Sequence, residues 1–212
     1  MRGLIQKDLC LLLQRSRVLL VLVGVGILMG FSTDGSFVIG YMTMLCAILT
    51  ISTISYDEFD NGYPFLLTLP ITRKTYVIGK YIFCLLGDLI GWALSVVIFA
   101  GCTMAKGGLQ LPVQIMESLA FIPVFLLITA IMLPLQLKFG AEKSRVMIAI
   151  LGGGAFALGY IGKSFLPANF EIPAFLLEMS DLTAMVIFLI FGFAALFISY
   201  LCSLHIMEHK EF

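Results

Sequence analysis

The feature that most constrains this chain is a series of long stretches without charged side chains. Six stretches of 16 to 26 residues occur, and only Asp88 interrupts one of them, at residues 81–105. A helix that crosses the hydrocarbon of a bilayer needs about 20 residues, and its backbone groups must be bonded within the helix because no water is available. The sequence therefore predicts an all-α membrane protein with six transmembrane helices, at about residues 17–34, 36–55, 80–104, 117–137, 146–164 and 182–204.

Composition excludes most other classes of protein. Charged residues make up 12% of the chain, about half of the roughly 25% that is usual for soluble domains. So few charges cannot cover a water-exposed surface, which excludes a soluble enzyme, a disordered protein and a basic nucleic-acid-binding protein. The alternation of transmembrane barrel strands is also absent. We expect the lipid bilayer, and no nucleic acid, as a partner.

The positive charges are unequally divided between the two sides of the predicted membrane. With six spans both termini lie on one side, and eleven of the thirteen Lys and Arg residues fall there, against Lys106 and Lys163 on the other side. Cytoplasmic loops carry the excess of Lys and Arg. The N- and C-termini are therefore expected in the cytoplasm, and the cell membrane of a bacterium is the expected location.

The first residues, 1–16, are predicted to form an amphipathic helix. Its apolar side contains Ile5, Leu9, Leu12 and Leu13, and its polar side contains Gln6, Lys7 and Gln14. A helix of this kind lies in the membrane interface. A plain extension of the first span is the alternative.

The longest predicted cytoplasmic segment is residues 56–76, between the second and third spans. It is too long for a simple turn and too short for a domain, and its many apolar and aromatic residues argue against disorder. Gly62, Pro64 and Pro70 indicate short helical pieces joined by bends. Because apolar surface exposed to water favours a binding partner, we predict an interaction site here. A loop packed on its own helix bundle is the alternative.

Several motifs follow one another in and just after this segment: Asp57-Glu58, Asn61-Gly62, Leu66-Leu67-Thr68-Leu69-Pro70-Ile71-Thr72-Arg73-Lys74, Tyr76-Val77 and Gly79-Lys80-Tyr81. Together they resemble the first cytoplasmic loop of ABC-2-type permeases. Thr68 and Thr72 stand where that family often has Ser, and Tyr63-Pro64-Phe65 is less typical. The resemblance extends to the predicted topology of the whole chain. In size and style the chain is similar to the short permeases that export peptides, such as the phenol-soluble-modulin exporters.

The resemblance implies a permease subunit of an ATP-driven ABC exporter. It implies a dimer with a second permease copy or a paralogue. It also implies a separate cytoplasmic ABC ATPase, and that ATPase rather than this chain would bind ATP and Mg. The loop between the second and third spans would be the coupling element, so changing Glu58 or Phe59 should uncouple ATP hydrolysis from transport. The candidate ATPase-coupling residues are Tyr56, Asp57, Glu58, Phe59, Asn61, Gly62, Tyr63, Pro70, Arg73 and Lys74. Peptides, lipid-like molecules and drugs all remain open as the exported substrate.

Two further motifs indicate chemistry that the rest of the sequence does not support. Residues 157–164, ALGYIGKS, approach a P-loop, but Ala157 replaces its first Gly and the stretch closes a predicted span on the outer side. Residues 205–209 match the H-x-x-E-H zinc-protease signature, but the chain has no other His. We therefore expect no catalytic residue, no metal ligand and no nucleotide site in this chain.

Asp88 is the one charge well inside a predicted span. An intramembrane carboxylate costs about 2.5–3.5 kcal/mol, so it should face a cavity, a partner or water. Asp88 either lines the substrate path or ties helices together, and the flanking Gly87 and Gly91 favour close helix packing. Small residues on the second span also indicate packing, but by position that span resembles the helix that lines the pathway in the family. Thr43, Thr50 and Asp88 are therefore the candidates for the substrate path.

An intramembrane enzyme would need paired catalytic groups at membrane depth, where Asp88 stands alone. Two other functional classes remain as alternatives. An ion-coupled secondary transporter would need further ionisable groups within the membrane or inverted repeats, and we find no clear repeat. A non-catalytic membrane scaffold would need no ATPase partner. In either case residues 1–212 would form a single transmembrane domain, with residues 165–181 as a short external segment.

Overall fold

The computed structural model describes residues 2–14, 16–32, 35–58, 62–68, 71–107, 118–165 and 180–210. The described residues form helices and connecting turns, without a β-strand, so the prediction of an all-α protein is confirmed for this part of the chain. In chain order the helices are α1 (Arg2–Gln14), α2 (Ser16–Ser32), α3 (Gly35–Glu58), α4 (Gly62–Thr68), α5 (Arg73–Ala105), α6 (Phe121–Phe165) and α7 (Asp181–His209).

Four helical stretches are long and apolar enough to cross a membrane, as judged by length and composition: Phe37–Glu58, Arg73–Ala105, Phe121–Gly140 and Leu182–His209. The axes of α1 and α2 differ by 67°, and these two helices would supply a fifth candidate if together they formed one broken span. Helix α2 alone has 17 residues, about 26 Å at 1.5 Å per residue. The described residues thus give four or five candidate spans, and the number six remains a prediction.

Helix α6 joins two of the predicted spans without a loop between them. The predicted spans 117–137 and 146–164 were expected to be separated by the charged residues 138–145. Instead these residues are helical except at Gly140, whose φ of 77° and ψ of 178° break the helix. The backbone at Gly140 lies in a region that only glycine adopts readily. Most of the predicted external segment 165–181 lies outside the described residues.

The core of the bundle lies where α3, α5, α6 and α7 meet. Its fully buried apolar side chains include Ile54 on α3, Val77 and Cys84 on α5, and Leu133 and Leu137 on α6. Hydroxyl groups also form hydrogen bonds between helices within this core. The Tyr81 hydroxyl on α5 lies 2.6 Å from Ser199 Oγ and 2.8 Å from Ser203 Oγ on α7. Such bonds between helices contribute about 0.6–2 kcal/mol each in membranes.

Helices α3 and α5 approach each other closely at two glycines of α5. A side-chain carbon built on Gly87 would overlap the methyl group of Thr50, and one built on Gly91 would lie 2.5 Å from Cys46 Cβ. The Thr50 hydroxyl donates to the carbonyl oxygen of Ala47 at 2.9 Å, within its own helix. The G-x-x-x-G spacing on α5 therefore serves close helix packing, as the sequence pattern indicated.

Replacing Gly87 by Ala should destabilise the fold, because the added methyl group must displace Thr50 or separate α3 from α5. Overpacking of this kind costs about 1–3 kcal/mol. Gly101→Ala is the matched control, since Gly101 lies on the same helix with no atom within 4 Å of the new methyl group. Thermal unfolding of both variants in detergent would measure the difference. Equal melting temperatures would show that the two helices do not pack as described.

The outward faces of the bundle are apolar. Helix α7 exposes Phe188, Phe191 and Phe197, and α1 exposes Leu9 and Leu13. The side of α1 that faces the bundle contains Leu4 and Asp8, both buried. Of the apolar side predicted for α1, Leu9 and Leu13 thus face away from the bundle while Ile5 and Leu12 are half-buried, and the position of α1 in the membrane interface remains a prediction.

Candidate functional site

Four charged side chains come together where α1, α3 and α5 meet, and we call them the ion-pair cluster: Lys7, Asp8, Asp57 and Lys80. The Lys80 side chain is 1% exposed. Its Nζ lies 2.8 Å from both carboxylate oxygens of Asp8 and 2.8 Å from Asp57 Oδ2. Lys7 Nζ bonds to Asp57 Oδ1 and lies 3.6 Å from Asp8 Oδ1. With two cations and two anions, the cluster is neutral as a whole.

Two neutral side chains complete the hydrogen bonds of the cluster. Tyr76 donates its hydroxyl hydrogen to Asp57 Oδ2 at 2.8 Å, and Lys80 Nζ lies 3.3 Å from Thr53 Oγ1. Buried charges are tolerated in proteins when they are paired and hydrogen-bonded. The cluster meets that condition and fastens α1 to the ends of α3 and α5.

Helical spacing explains how each element supplies its part of the cluster. Thr53 and Asp57 are four residues apart on α3, and Tyr76 and Lys80 are four residues apart on α5. Residues at this spacing lie on one face of a helix, one turn apart. On α1, Asp8 follows Leu4 at the same spacing, so the packing of Leu4 against the bundle places the carboxylate inward.

The short helix α4 packs on the bundle through an aromatic pair. The rings of Tyr63 and Tyr76 meet edge to face with 5.8 Å between their centres, and Lys210 Nζ lies 4.9 Å above the Tyr63 ring. Burial raises the pKa of the Tyr63 phenol well above its usual range, so the hydroxyl stays protonated at neutral pH. Gly62 allows α4 to start here, since a side chain would lie 2.6 Å from the carbonyl oxygen of Asp57.

The beginning of α5 is bonded to the end of α7. Arg73 donates hydrogen bonds to the carbonyl oxygens of Met207 at 2.9 Å and Glu208 at 2.6 Å. A cation at a helix C-terminus satisfies carbonyl groups that have no partner within the helix. Lys74 lies 3.7 Å from the Glu208 carboxylate, in an exposed pair.

Glu58 and Tyr56 stand at the end of α3, beside the break in α6. The Glu58 carboxylate occupies the space that a side chain on residue 140 would need. Lys210 donates to the carbonyl oxygen of Leu137 at 2.9 Å, just before the break. Burial lowers the pKa of Lys210, and the charge of Glu58 opposes that shift. Tyr56 is half-buried, and the candidates Phe59, Asn61 and Pro70 lie outside the described residues.

The described apolar residues of the segment 56–76 face the bundle. Tyr63 is buried, and Leu66 and Ile71 pack against the core. They therefore need no partner protein to cover them, which agrees with the alternative of a loop packed on its own bundle. The exposed residues among those described are Glu58, Thr68, Thr72 and Lys74. Any surface that the described part of this segment offers to a partner is thus mainly polar.

The three candidates for a substrate path are all buried and take part in contacts between helices. Thr43 and Thr50 are buried between α3 and α5, where the Thr43 hydroxyl donates to Ile39 O at 2.8 Å and lies 3.4 Å from Ser95 Oγ. Asp88, also on α5, contacts α6 instead, since its Oδ2 accepts a hydrogen bond from Thr129 Oγ1 at 2.7 Å. Asp88 therefore ties α5 to α6, and it also lines a cavity of about 160 Å³.

The P-loop-like motif and the H-x-x-E-H motif both lie on helices. Residues 157–164 are helical, whereas a phosphate cradle is a loop. His205 and His209 lie one turn apart with 4.4 Å between their rings. Among the residues that the structure places, no three His, Cys, Asp or Glu side chains are grouped as metal ligands.

Comparison with known proteins decides the family. A sequence model described as "ABC-2 family transporter protein" matches residues 3–208, nearly the whole chain. The chain belongs to the ABC-2 family of transporter proteins. No curated protein and no solved structure matches it. The family is one of membrane permease subunits, which implies a membrane location and an ABC ATPase as partner.

The resemblance of the loop motifs to ABC-2 permeases is thereby confirmed at the level of the family. The closer similarity to peptide exporters stays a prediction. These motifs lie in and around the segment between α3 and α5. The structure shows that ion pairs and hydrogen bonds link the two ends of this segment to α1, α5 and α7.

Sequence reasoning did not identify four residues of the ion-pair cluster and its surroundings, namely Lys7, Asp8, Tyr76 and Lys80. It assigned them only to motifs or to one side of the membrane. One signal for Asp8 was available. An acidic residue four positions after Leu4 and four before Leu12 interrupts a row of apolar residues on one face of a helix. Such a residue is expected to have a buried cationic partner, although the sequence does not indicate which one.

Proposed function

We propose that this ABC-2 permease is the membrane subunit of an ATP-driven exporter in a bacterial cell membrane. It couples to a separate cytoplasmic ABC ATPase, which binds ATP and Mg, through the segment 56–76. Two permease copies or a permease and its paralogue form a dimer. The substrate is a peptide or another amphipathic molecule.

The proposal includes six spans with both termini in the cytoplasm. Helix α2 and the part of α6 after Gly140 add two spans to the four long candidates. The 17 residues of α2 reach the lower end of the length range for transmembrane helices, about 17–25 residues. Helix α1 then lies in the interface, with Leu9 and Leu13 towards lipid. The excess of Lys and Arg supports this orientation.

The observation that carries the proposal is the set of bonds around the segment 56–76. At its start, Asp57 bonds to Lys7 of α1 and Lys80 of α5. In its middle, Tyr63 packs on Tyr76 and lies under Lys210, which follows α7. At its end, Arg73 holds the last carbonyl groups of α7. A partner that moves this segment would therefore displace the ends of several helices together.

These bonds suggest a route from the ATPase to the membrane helices. Glu58 is exposed and touches the break in α6, so it is placed to contact the ATPase and to pass a displacement to Gly140. Asp57 and Tyr63 are buried, and they act as positioning residues that keep the segment rigid. Closure of the ATPase dimer would then move α5 and α6 as the segment shifts.

The test uses any ABC ATPase that is encoded beside this gene, co-expressed with the permease and reconstituted in vesicles. A fluorescent amphipathic peptide serves as the transport probe. In Glu58→Gln and Phe59→Ala variants we expect ATP hydrolysis to continue and ATP-dependent peptide transport to fall by roughly 5- to 150-fold, the usual range for coupling between sites. Lys143→Gln, an exposed change on α6, is the control and should transport as the unaltered protein does.

Two outcomes would contradict different parts of the proposal. If no ATPase co-purifies with the permease, the coupling assignment is wrong. If the ATPase co-purifies but the loop variants transport normally, the contact lies elsewhere on the permease. A probe that never moves with ATP, despite a stable complex, would remove the assignment of amphipathic peptides as substrates.

A further inference from the structure

The cavity beside Asp88 has an unusual composition for a site within a membrane bundle. It lies between α5, α6 and α7, and its wall is apolar apart from the carboxylate. Three aromatic side chains contribute to it: Trp92 from α5, Phe125 from α6 and Phe193 from α7. Asp88 is near the middle of the 33-residue helix α5. A single acidic group therefore faces an aromatic pocket far from both ends of its helix.

One oxygen of this carboxylate has no partner. Asp88 is 5% exposed, and Oδ2 accepts the bond from Thr129. Among the side chains that the structure describes, Oδ1 is the buried polar atom without a hydrogen bond. A buried acceptor without a donor is costly, and native structures normally satisfy such groups. The cavity is the space from which a donor can reach this atom.

The opening of the cavity faces the surroundings of the bundle. Two of its wall residues, Leu89 and Phe193, are 51% and 55% exposed on the outer surface of α5 and α7. Since those helices are candidate membrane spans, this outer surface faces lipid. A ligand would therefore enter sideways from the bilayer, and it must be lipophilic enough to dissolve there.

The size and chemistry of the cavity define the ligand. Its 160 Å³ is close to the roughly 150 Å³ of an engineered apolar cavity that binds benzene. A protonated amine would donate to Asp88 Oδ1, and aromatic faces attract cations. We propose that this pocket binds the ammonium end of a lipophilic amine, with one aromatic ring or a similar apolar group filling the space.

As a substrate site, the pocket rests on the proposed export function, since amphipathic molecules with an ammonium group would be the exported class. Binding of a ligand to the pocket requires neither the ATPase nor transport. The two ideas can therefore fail separately. Asp88 here is a binding residue, and its bond to Thr129 holds the carboxylate in position.

The test measures equilibrium binding to the purified permease in lipid nanodiscs, without the ATPase. Trp92 is the one Trp of the chain and lines the pocket, so its fluorescence reports occupancy directly. Benzylamine at pH 7.5 is the cationic probe, and benzyl alcohol is its neutral counterpart. We expect saturable quenching or a spectral shift with benzylamine, and binding at least 10-fold weaker with benzyl alcohol, as for other hydrogen bonds to charged groups.

The matched variants are Asp88→Asn and Thr103→Ala on the same helix. The amide of D88N can still accept from Thr129, but it places a donor where the ammonium group would bind. It should weaken benzylamine binding by roughly 10- to 100-fold. Thr103 bonds only to carbonyl groups of its own helix and does not line the pocket, so T103A should bind as the unaltered protein does. Thermal unfolding of each variant checks that it is folded. Equal binding of benzylamine and benzyl alcohol, or unchanged binding in folded D88N, would overturn the proposal.

Discussion

Replacing Lys80 by Met is expected to destabilise the permease by about 3–5 kcal/mol, the range measured when one partner of a buried ion pair is removed. Lys80 Nζ lies within 2.8 Å of three carboxylate oxygens, and Met provides similar volume without the charge. Asp8 and Asp57 would then share only Lys7, which is 31% exposed. At about 2–4 °C per kcal/mol for a chain of this length, the melting temperature should fall by roughly 6–20 °C.

The control for this prediction is Lys74→Met on the same helix. Lys74 is 68% exposed and lies 3.7 Å from Glu208, and exposed pairs of this kind contribute about 0–1 kcal/mol. Thermal unfolding in detergent, followed through Trp92 fluorescence, would compare the two variants. Adding Asp8→Asn to Lys80→Met removes one of the unpaired charges and should recover part of the loss. A double variant no more stable than Lys80→Met would show that packing, and not charge, holds the cluster together.

Replacing Gly140 by Ala should also have a large effect, because it combines two costs at the break in α6. A side chain at φ 77° and ψ 178° is strained by about 1–3 kcal/mol. The new methyl group would also overlap the Glu58 carboxylate, and moving this exposed, flexible side chain aside adds a smaller cost. We expect a clear fall in melting temperature, measured in the same way.

Gly153→Ala in the same helix is the control for Gly140→Ala. Gly153 is exposed, and no atom lies within 4 Å of the new methyl group, so this change should stabilise the helix by up to about 1 kcal/mol. Adding Glu58→Ala to Gly140→Ala should remove the overlap and leave the backbone strain. If Gly140→Ala were as stable as Gly153→Ala, α6 would have to be continuous in the native protein.

Much of the secondary structure follows from the sequence. The apolar runs correspond to α3, α5, the first part of α6 and α7, because a long uncharged stretch can satisfy its backbone only as a helix in a membrane. The family also follows from local motifs such as Asp57-Glu58 and Gly79-Lys80-Tyr81. The form of the break at Gly140 does not follow, since the charged residues 138–145 predicted a loop between two spans, whereas the structure interrupts the helix at Gly140 alone within that stretch.

The candidate site was also only partly predictable from the sequence. The segment 56–76 was recognisable by its motifs, and Arg73 and Glu58 were among its predicted residues. Their contacts with α7 and with Gly140 were not predictable. The apolar residues of the segment were expected to need a partner, whereas Tyr63, Leu66 and Ile71 pack on the bundle. Composition gives the amount of apolar surface in a segment but not the surface that covers it.

The sequence by itself determined that this protein is a bundle of apolar helices in the ABC-2 family. Charge spacing locates the apolar stretches, and short motifs identify the family. Only the tertiary structure decided which charges pair. Lys80 and Asp8 are 72 residues apart, and Lys7 and Asp57 are 50 apart. Helical spacing gives the face on which each residue lies, but the pairing depends on how α1, α3 and α5 pack against each other.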